Sequence, residues 1–212
     1  MKNATCNKLK YMNDLKSIFT YLIIIQVFLF GIALGTVLAY DDATSSPDVT
    51  EEVNLDQDIQ AADLGTDEPR ILPGSPFYFL KDWGRKIQFL VTFNPVDKIK
   101  LKQKFADQKL IELKKLVEQK KSREIIKKSI ESYQNEVESI RVTSEKIKDK
   151  AKDNKELENF LDKFTRQQIL HQKLLKKLEN QVPPEALEKI RTTRERHLET
   201  FGQVMTKLED RK

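Results

Sequence analysis

The chain has 212 residues, a third of them Asp, Glu, Lys or Arg, with only 6 Gly, 7 Pro, 2 His and one Cys. One Cys closes no intramolecular disulfide, and His171 and His197 stand too far apart in sequence for zinc-ligand spacing, so disulfide scaffolds and zinc folds are excluded and neither metal nor cofactor is expected. The net charge of +5 conceals three segments, +3 over residues 1–40, −9 over 41–70 and, by difference, +11 over 71–212.

No charged residue lies between Lys16 and Asp41, and Ser17 to Ala39 is dominated by Ile, Leu, Phe and Val. As a helix these residues reach roughly 34 Å at about 1.5 Å each, slightly more than the ~30 Å hydrocarbon core of a bilayer. The pattern predicts a transmembrane helix over 17–39. Lys2, Lys8, Lys10 and Lys16 precede it and acids follow, which leaves residues 1–16 as a basic cytoplasmic tail and sends the rest outward. Two fates stay open for this segment: an uncleaved single-pass anchor, which its length favours, or a signal cleaved after Ala39, which would release the protein. Cys6 precedes the apolar run, so it reads as a reduced cytoplasmic thiol and not as a lipoprotein cysteine. The sequon Asn3-Ala4-Thr5 lies on the wrong side of the membrane for glycosylation.

Residues 40–71 combine acids with Ser, Thr, Gly and Pro and predict an acidic, disordered tether. Asp56, Asp58, Gln60 and Asp63 alternate like a calcium loop, but Ala61 and Asp67 occupy positions where that loop needs Gly and Glu. Beyond Ile71 the composition changes, and six of the 17 aromatic residues fall between Phe77 and Phe93. Ser75-Pro76 predicts a helix start, and Phe77, Leu80, Trp83, Ile87 and Leu90 share one stripe over about 76–91, with Gly84 weakening its middle. Asn94-Pro95 caps and opens a second helix, about 95–120. Its stripe of Ile99, Ala106, Leu110, Leu113 and Val117 is widened by Leu101, Phe105 and Leu116, which suits packing against more than one neighbour.

A third helix, about 122–152, shows an unbroken heptad seam of Ile126, Ile130, Tyr133, Val137, Ile140, Ser144, Ile147 and Ala151. A fourth, about 155–181, repeats it with Leu157, Leu161, Phe164, Gln168, His171, Leu175, Leu178 and Val182. The polar seam pair Gln168 and His171 has three readings: a register-fixing pair, a titrating site, or positions at a frayed part of the interface, the last weighted most. Pro183-Pro184 ends that helix. A fifth shows Leu187, Ile190, Arg194, His197 with Leu198, Phe201, Met205 and Leu208. Short connections predict that the five helices zigzag into an elongated antiparallel bundle or coiled-coil-like domain over 72–210, with possible homo-oligomerisation through the heptad seams. The fold class is all-α.

Catalytic signatures are absent from the sequence: no Gly-rich phosphate loop, no Gly-x-Ser-x-Gly and no His-Glu-x-x-His. An enzyme is therefore not expected. The runner-up to a structural or interaction module is weak, salt-sensitive binding to a wall polymer or anionic lipid headgroups through Lys98, Lys100, Lys102, Lys104, Lys114 and Lys115. Nucleic acid is not an expected partner outside the membrane. The aromatic helix, with Phe77, Tyr78, Leu80 and Trp83 as its candidate contacts, has two readings: a lid packed across the bundle, which is preferred, or a surface for a partner or the membrane.

The block Leu72-Pro73-Gly74-Ser75-Pro76-Phe77-Tyr78-Phe79-Leu80-Lys81, followed by Trp83, Arg85, Phe93-Asn94-Pro95 and Gln181-Val182-Pro183, resembles the bacterial and archaeal family catalogued as domain of unknown function 5667. Two positions depart from its pattern: Asn94 stands where Asp is usual and Lys109 where Arg is common. The resemblance implies an exported, often membrane-tethered helical domain, and no reaction.

Overall fold

The computed structural model describes residues 58–149 and 155–209. The predicted span 17–39, the cytoplasmic tail and residues 40–57 of the tether lie outside them. Among the described residues no helix is long and apolar enough to cross a membrane, and none of them forms a strand. Five helices follow a short 3-10 turn at Ala62–Leu64: α1 Tyr78–Val91, α2 Pro95–Glu118, α3 Arg123–Ile147, α4 Lys155–Glu179 and α5 Pro184–Glu209.

Local chemistry sets these boundaries. The Asn94 side chain accepts from the Val96 and Asp97 amides at 2.8 and 3.4 Å, with Pro95 in the first turn of α2. Ser122 caps α3 by accepting from the Ile125 amide. The end of α2 is a Schellman closure, with Lys121 N–H donating to Leu116 O and Lys120 N–H to Val117 O. That closure forces Lys120, a non-glycine residue, to φ 50°. Ser75 does not cap α1 as the sequence suggests. The segment Leu72–Ser75 forms a turn of its own, and the helix begins after Phe77 with no side-chain cap. Gly74 sits in that turn at φ 93°, where a Cβ would also lie 2.9 Å from Ile125 Cδ1.

Helices α2, α3, α5 and α4, in that cyclic order, close a four-helix bundle, each packing on two neighbours. Side-chain pairs fix the directions. Lys102 meets Glu136, and Gln172 meets His197, so α2/α3 and α4/α5 are antiparallel hairpins. Lys100 reaches Glu156 and Glu131 reaches Lys189, so α2/α4 and α3/α5 run parallel. The expected zigzag therefore needs one correction: α3 and α4, although consecutive, occupy opposite corners.

The α3 seam from Ile126 to Ile147 and the whole predicted α4 seam are buried, and Ala151 lies outside the described residues. In α5 the buried stripe is Ala186, Ile190, Thr193, His197, Thr200, Val204 and Leu208. This differs from the predicted line by a small rotation that leaves Leu198 exposed. Two polar members of the buried stripe have partners on neighbouring helices: Gln134 Nε2 of α3 donates to Thr193 Oγ1 at 2.7 Å, and Gln172 Nε2 of α4 to His197 Nδ1 at 3.1 Å.

Part of the predicted tether is also corrected. Ile59, Ala61 and Leu64 are buried in the main core, and Asp58 bridges Lys114 of α2 and Lys177 of α4 at 2.9 and 2.6 Å. The hydrogen bonds from both lysines hold the Asp58 carboxyl down at about 2. Three apolar side chains at positions 59, 61 and 64, dispersed among ten acids, join the Asp58 ion pairs in holding this segment on the bundle. With α1, α3, α4 and this segment around it, α2 is buried on several sides, including Leu101, Phe105 and Leu116, as its broadened stripe predicts.

Candidate functional site

Helix α1 is the element whose exposure is hardest to explain by packing. At 100° per residue, Phe79, Leu80, Trp83, Gly84, Ile87, Leu90 and Val91 fall on one arc of about 140° that contains no charge. All of them face outward: Trp83 is 63% exposed, Leu90 73%, and Phe93 just beyond the helix 83%. A Cβ at Gly84 would meet nothing within 4 Å. The stripe read from the sequence is therefore real but points the other way from the bundle, and the preferred lid reading is overturned.

The reason lies on the opposite face, where Tyr78, Asp82, Arg85 and Phe89 recur at steps of 4, 3 and 4. Glu112 of α2 is wholly buried and receives Arg85 Nη2 and Lys81 Nζ, each at 2.7 Å, together with the Tyr78 hydroxyl. Lys109 of α2 donates to Asp82 Oδ1 at 2.8 Å and to the Tyr78 oxygen at 2.7 Å. Arg85 adds Asp82 at 3.0 Å and the Gln108 carbonyl at 3.1 and 3.2 Å. Lys102 lies 4.5 Å from the Phe89 ring centre, a cation–π contact. Burial opposes the Arg85 charge, yet Glu112 beside it lifts the guanidinium above its ordinary value, while burial and the same carboxylate push the Tyr78 hydroxyl well up. The clamp thus holds three cations, two carboxylates and a neutral phenol, and breaking such a buried set by removing one partner costs about 3–5 kcal/mol.

Of the four candidate contacts, Phe77, Leu80 and Trp83 are exposed, while Tyr78 belongs to the clamp. Asp82, Arg85, Lys109 and Glu112 were not singled out as a group from the sequence. The available signal was the polar stripe on α1 matched by Gln108, Lys109 and Glu112 on α2. It was hidden because alternating charges ordinarily mark a solvated face.

A second polar cluster lies inside the bundle. Gln172 Nε2 donates to His197 Nδ1 at 3.1 Å, which leaves His197 Nε2–H facing His171 Nδ1 at 3.3 Å. His171 Nδ1 also accepts from the Tyr133 hydroxyl at 2.8 Å, so its proton sits on Nε2 and is donated to Asp107 Oδ1 at 2.7 Å. Gln167 Nε2 meets Asp107 Oδ2 at 3.3 Å and the Leu64 carbonyl at 2.8 Å, and Gln103 donates to Gln167. All four helices of the bundle contribute, and Asp107, Tyr133, His171 and His197 are all buried. The frayed reading of His171 is overturned.

Burial raises the Asp107 carboxyl, opposed by its hydrogen bond from His171. Burial, with His171 nearby, holds the His197 imidazole well below the usual histidine range. Asp107 lines a cleft of about 580 Å³ between the 3-10 turn, α1, α2 and α4, and His197 lines one of about 520 Å³ between α3 and α5. Among the described residues no group of three or more His, Cys, Asp or Glu is placed to hold a metal ion. The network's chemistry is directional hydrogen bonding that fixes the register of four helices.

The basic residues singled out for polyanions are largely spent on acids: Lys100 on Glu156 and Asp97, Lys102 on Glu136, Lys114 on Asp58 and Glu118, and Lys115 on Glu68.

No curated protein and no solved structure matches this chain. Residues 70–211 match the family model described as a domain of unknown function, DUF5667, and this match begins after the 3-10 turn and Asp58 that the structure docks onto the bundle. With two thirds of its length under that match, from the Pro-Gly-Ser-Pro turn through α5, the chain belongs to the DUF5667 family.

Proposed function

We propose that the chain is a membrane-anchored, extracytoplasmic helical interaction module without catalytic activity, and that it acts through the outward face of α1. One observation carries this reading. A folded domain leaves the apolar arc from Phe79 to Val91 in contact with solvent while committing buried charge to hold that helix in place. Contiguous exposed apolar surface of this kind marks interaction sites. The clamp supports a working role for the orientation, because a helix wanted only for packing would turn its seven-residue apolar arc inward. The polyanion reading receives less support, since four of its six lysines, Lys100, Lys102, Lys114 and Lys115, are paired with acids.

Impermeant maleimide labelling of intact cells tests the placement. Cys6 is the chain's only cysteine, and Asn180→Cys puts a second one at an exposed turn. The expected pattern is membrane-fraction protein labelled at position 180 with Cys6 protected. Labelling of Cys6, or recovery of the full chain as a soluble cytoplasmic species, would overturn the reading.

A further inference from the structure

We infer that the outward face of α1 docks on a lipid surface, namely that of the bilayer in which residues 17–39 are anchored. This rests on the anchored reading above and names the partner of that face.

Four observations converge on lipid. The arc from Phe79 to Val91 is uncharged across its full width, and a helix with one wholly apolar face and a charged opposite face is the form that lies in the plane of a membrane interface. It presents two aromatic rings, four aliphatic side chains and a glycine, and its one polar group is the Trp83 indole N–H, a pairing of apolar ring and polar tip that suits the membrane–water boundary. Lys86 is exposed and stands at one margin of the arc, where its long aliphatic stem can lie along the apolar zone with the ammonium group in the headgroup layer. Finally, only 18 residues separate Ala39 from Asp58, so even fully extended the connection reaches at most about 65 Å. A surface within that reach is encountered as an intramolecular partner at high effective concentration, which a free protein in the surroundings is not. The clamp completes the device: Glu112 and Lys109 fix the rotation of α1 about its axis, so the apolar arc is presented ready-made and no rearrangement of the bundle is needed.

The chain carries its own probe, because Trp83 is its only tryptophan and sits within the arc. The full chain is reconstituted into phosphatidylcholine–phosphatidylglycerol vesicles containing lipids brominated at shallow or deep acyl positions, and Trp83 emission is recorded after flotation. Docking predicts a blue-shifted emission that is quenched, more strongly by shallow than by deep bromines, because interfacial helices sit near the headgroup boundary. The double variant Leu80→Glu, Leu90→Glu changes two exposed positions and is expected to float and keep its helical content while losing the quenching. Quenching that survives in this variant would overturn the proposal. So would a chain that floats with Trp83 unquenched at every bromine depth, which leaves the anchor standing and removes the lipid docking. An emission that is blue-shifted but unquenched, with a shift that grows with protein-to-lipid ratio, assigns the face to a second copy and likewise overturns it. A chain that fails to float removes both readings together.

Discussion

Helix α1 and the four-helix bundle solve opposite problems with the same kinds of residue. In the bundle, Ile130, Leu110, Leu175 and Ile190 are wholly buried and the charged side chains mostly lie outside. In α1 most of the apolar residues are outside and the one buried member is Arg85. The difference teaches that hydropathy sets which face of a helix is apolar, whereas the partner sets which face is covered. Once α2 presents a buried carboxylate and ammonium at Glu112 and Lys109, the charged stripe of α1 is the complementary one.

The largest expected effect comes from breaking that complement. Glu112→Ala leaves Arg85, Lys81 and Lys109 clustered without the carboxylate they share, and is expected to cost about 3–5 kcal/mol, measured by chemical denaturation. If the loss is confined to α1, hydrogen exchange will show 78–91 opening while α2 to α5 stay protected. If all five helices exchange together, α1 is integral to the bundle and the two regions do not differ.

The second expected effect probes the polar interior of the bundle. The unfolded chain takes up a proton on His197 below about 6.5, whereas the folded chain resists it, so stability falls as pH drops from 6.5 toward the depressed folded value, by up to about 1.4 kcal/mol per pH unit. Asp107 works in the opposite sense at lower pH, because its folded pKa is raised: above the ordinary 3.8 the folded state keeps a proton that the unfolded state loses. The contribution of His197 is isolated by comparing melts of the wild type and His197→Gln between pH 7 and 5, where the variant should show the shallower decline. Equal declines would mean that His197 is not the group that limits acid stability.

How much of this was legible in the sequence follows the same divide. The seams of α3 and α4 were readable because each apolar residue recurs at a spacing that only one face satisfies, and the Asn94-Pro95 cap was readable because its chemistry is local. The direction in which α1 faces was not, since periodicity locates a stripe without naming what lies opposite it. The meeting of His171 and His197, with ring centres 5.0 Å apart, depends on the pairing of α4 with α5 and of both with Asp107 and Tyr133. Residues 59–64 were missed for a compositional reason, three apolar side chains diluted among acids, although those three enter the main core.

A smaller effect, of opposite sign, is expected at the end of α2. Lys120 adopts φ 50° inside a Schellman closure, a conformation that glycine enters without the Cβ penalty. Lys120→Gly should therefore stabilise the chain by about 1 kcal/mol, seen as a higher melting temperature. A lower one would show that the lysine side chain contributes more than its backbone costs.

The smallest expected effect bears most directly on the contrast between the two regions. Trp83 is the larger side chain, yet Trp83→Ala should change stability by less than about 0.5 kcal/mol, as for surface substitutions that touch no buried feature. Leu110→Ala, at a fully buried position of α2, should cost about 2–5 kcal/mol through lost transfer energy and the cavity left behind. Size alone would order the pair the other way. Thermal melts of the two variants against the wild type separate the possibilities: a Trp83→Ala loss approaching that of Leu110→Ala would mean that the aromatic arc is covered by the protein itself.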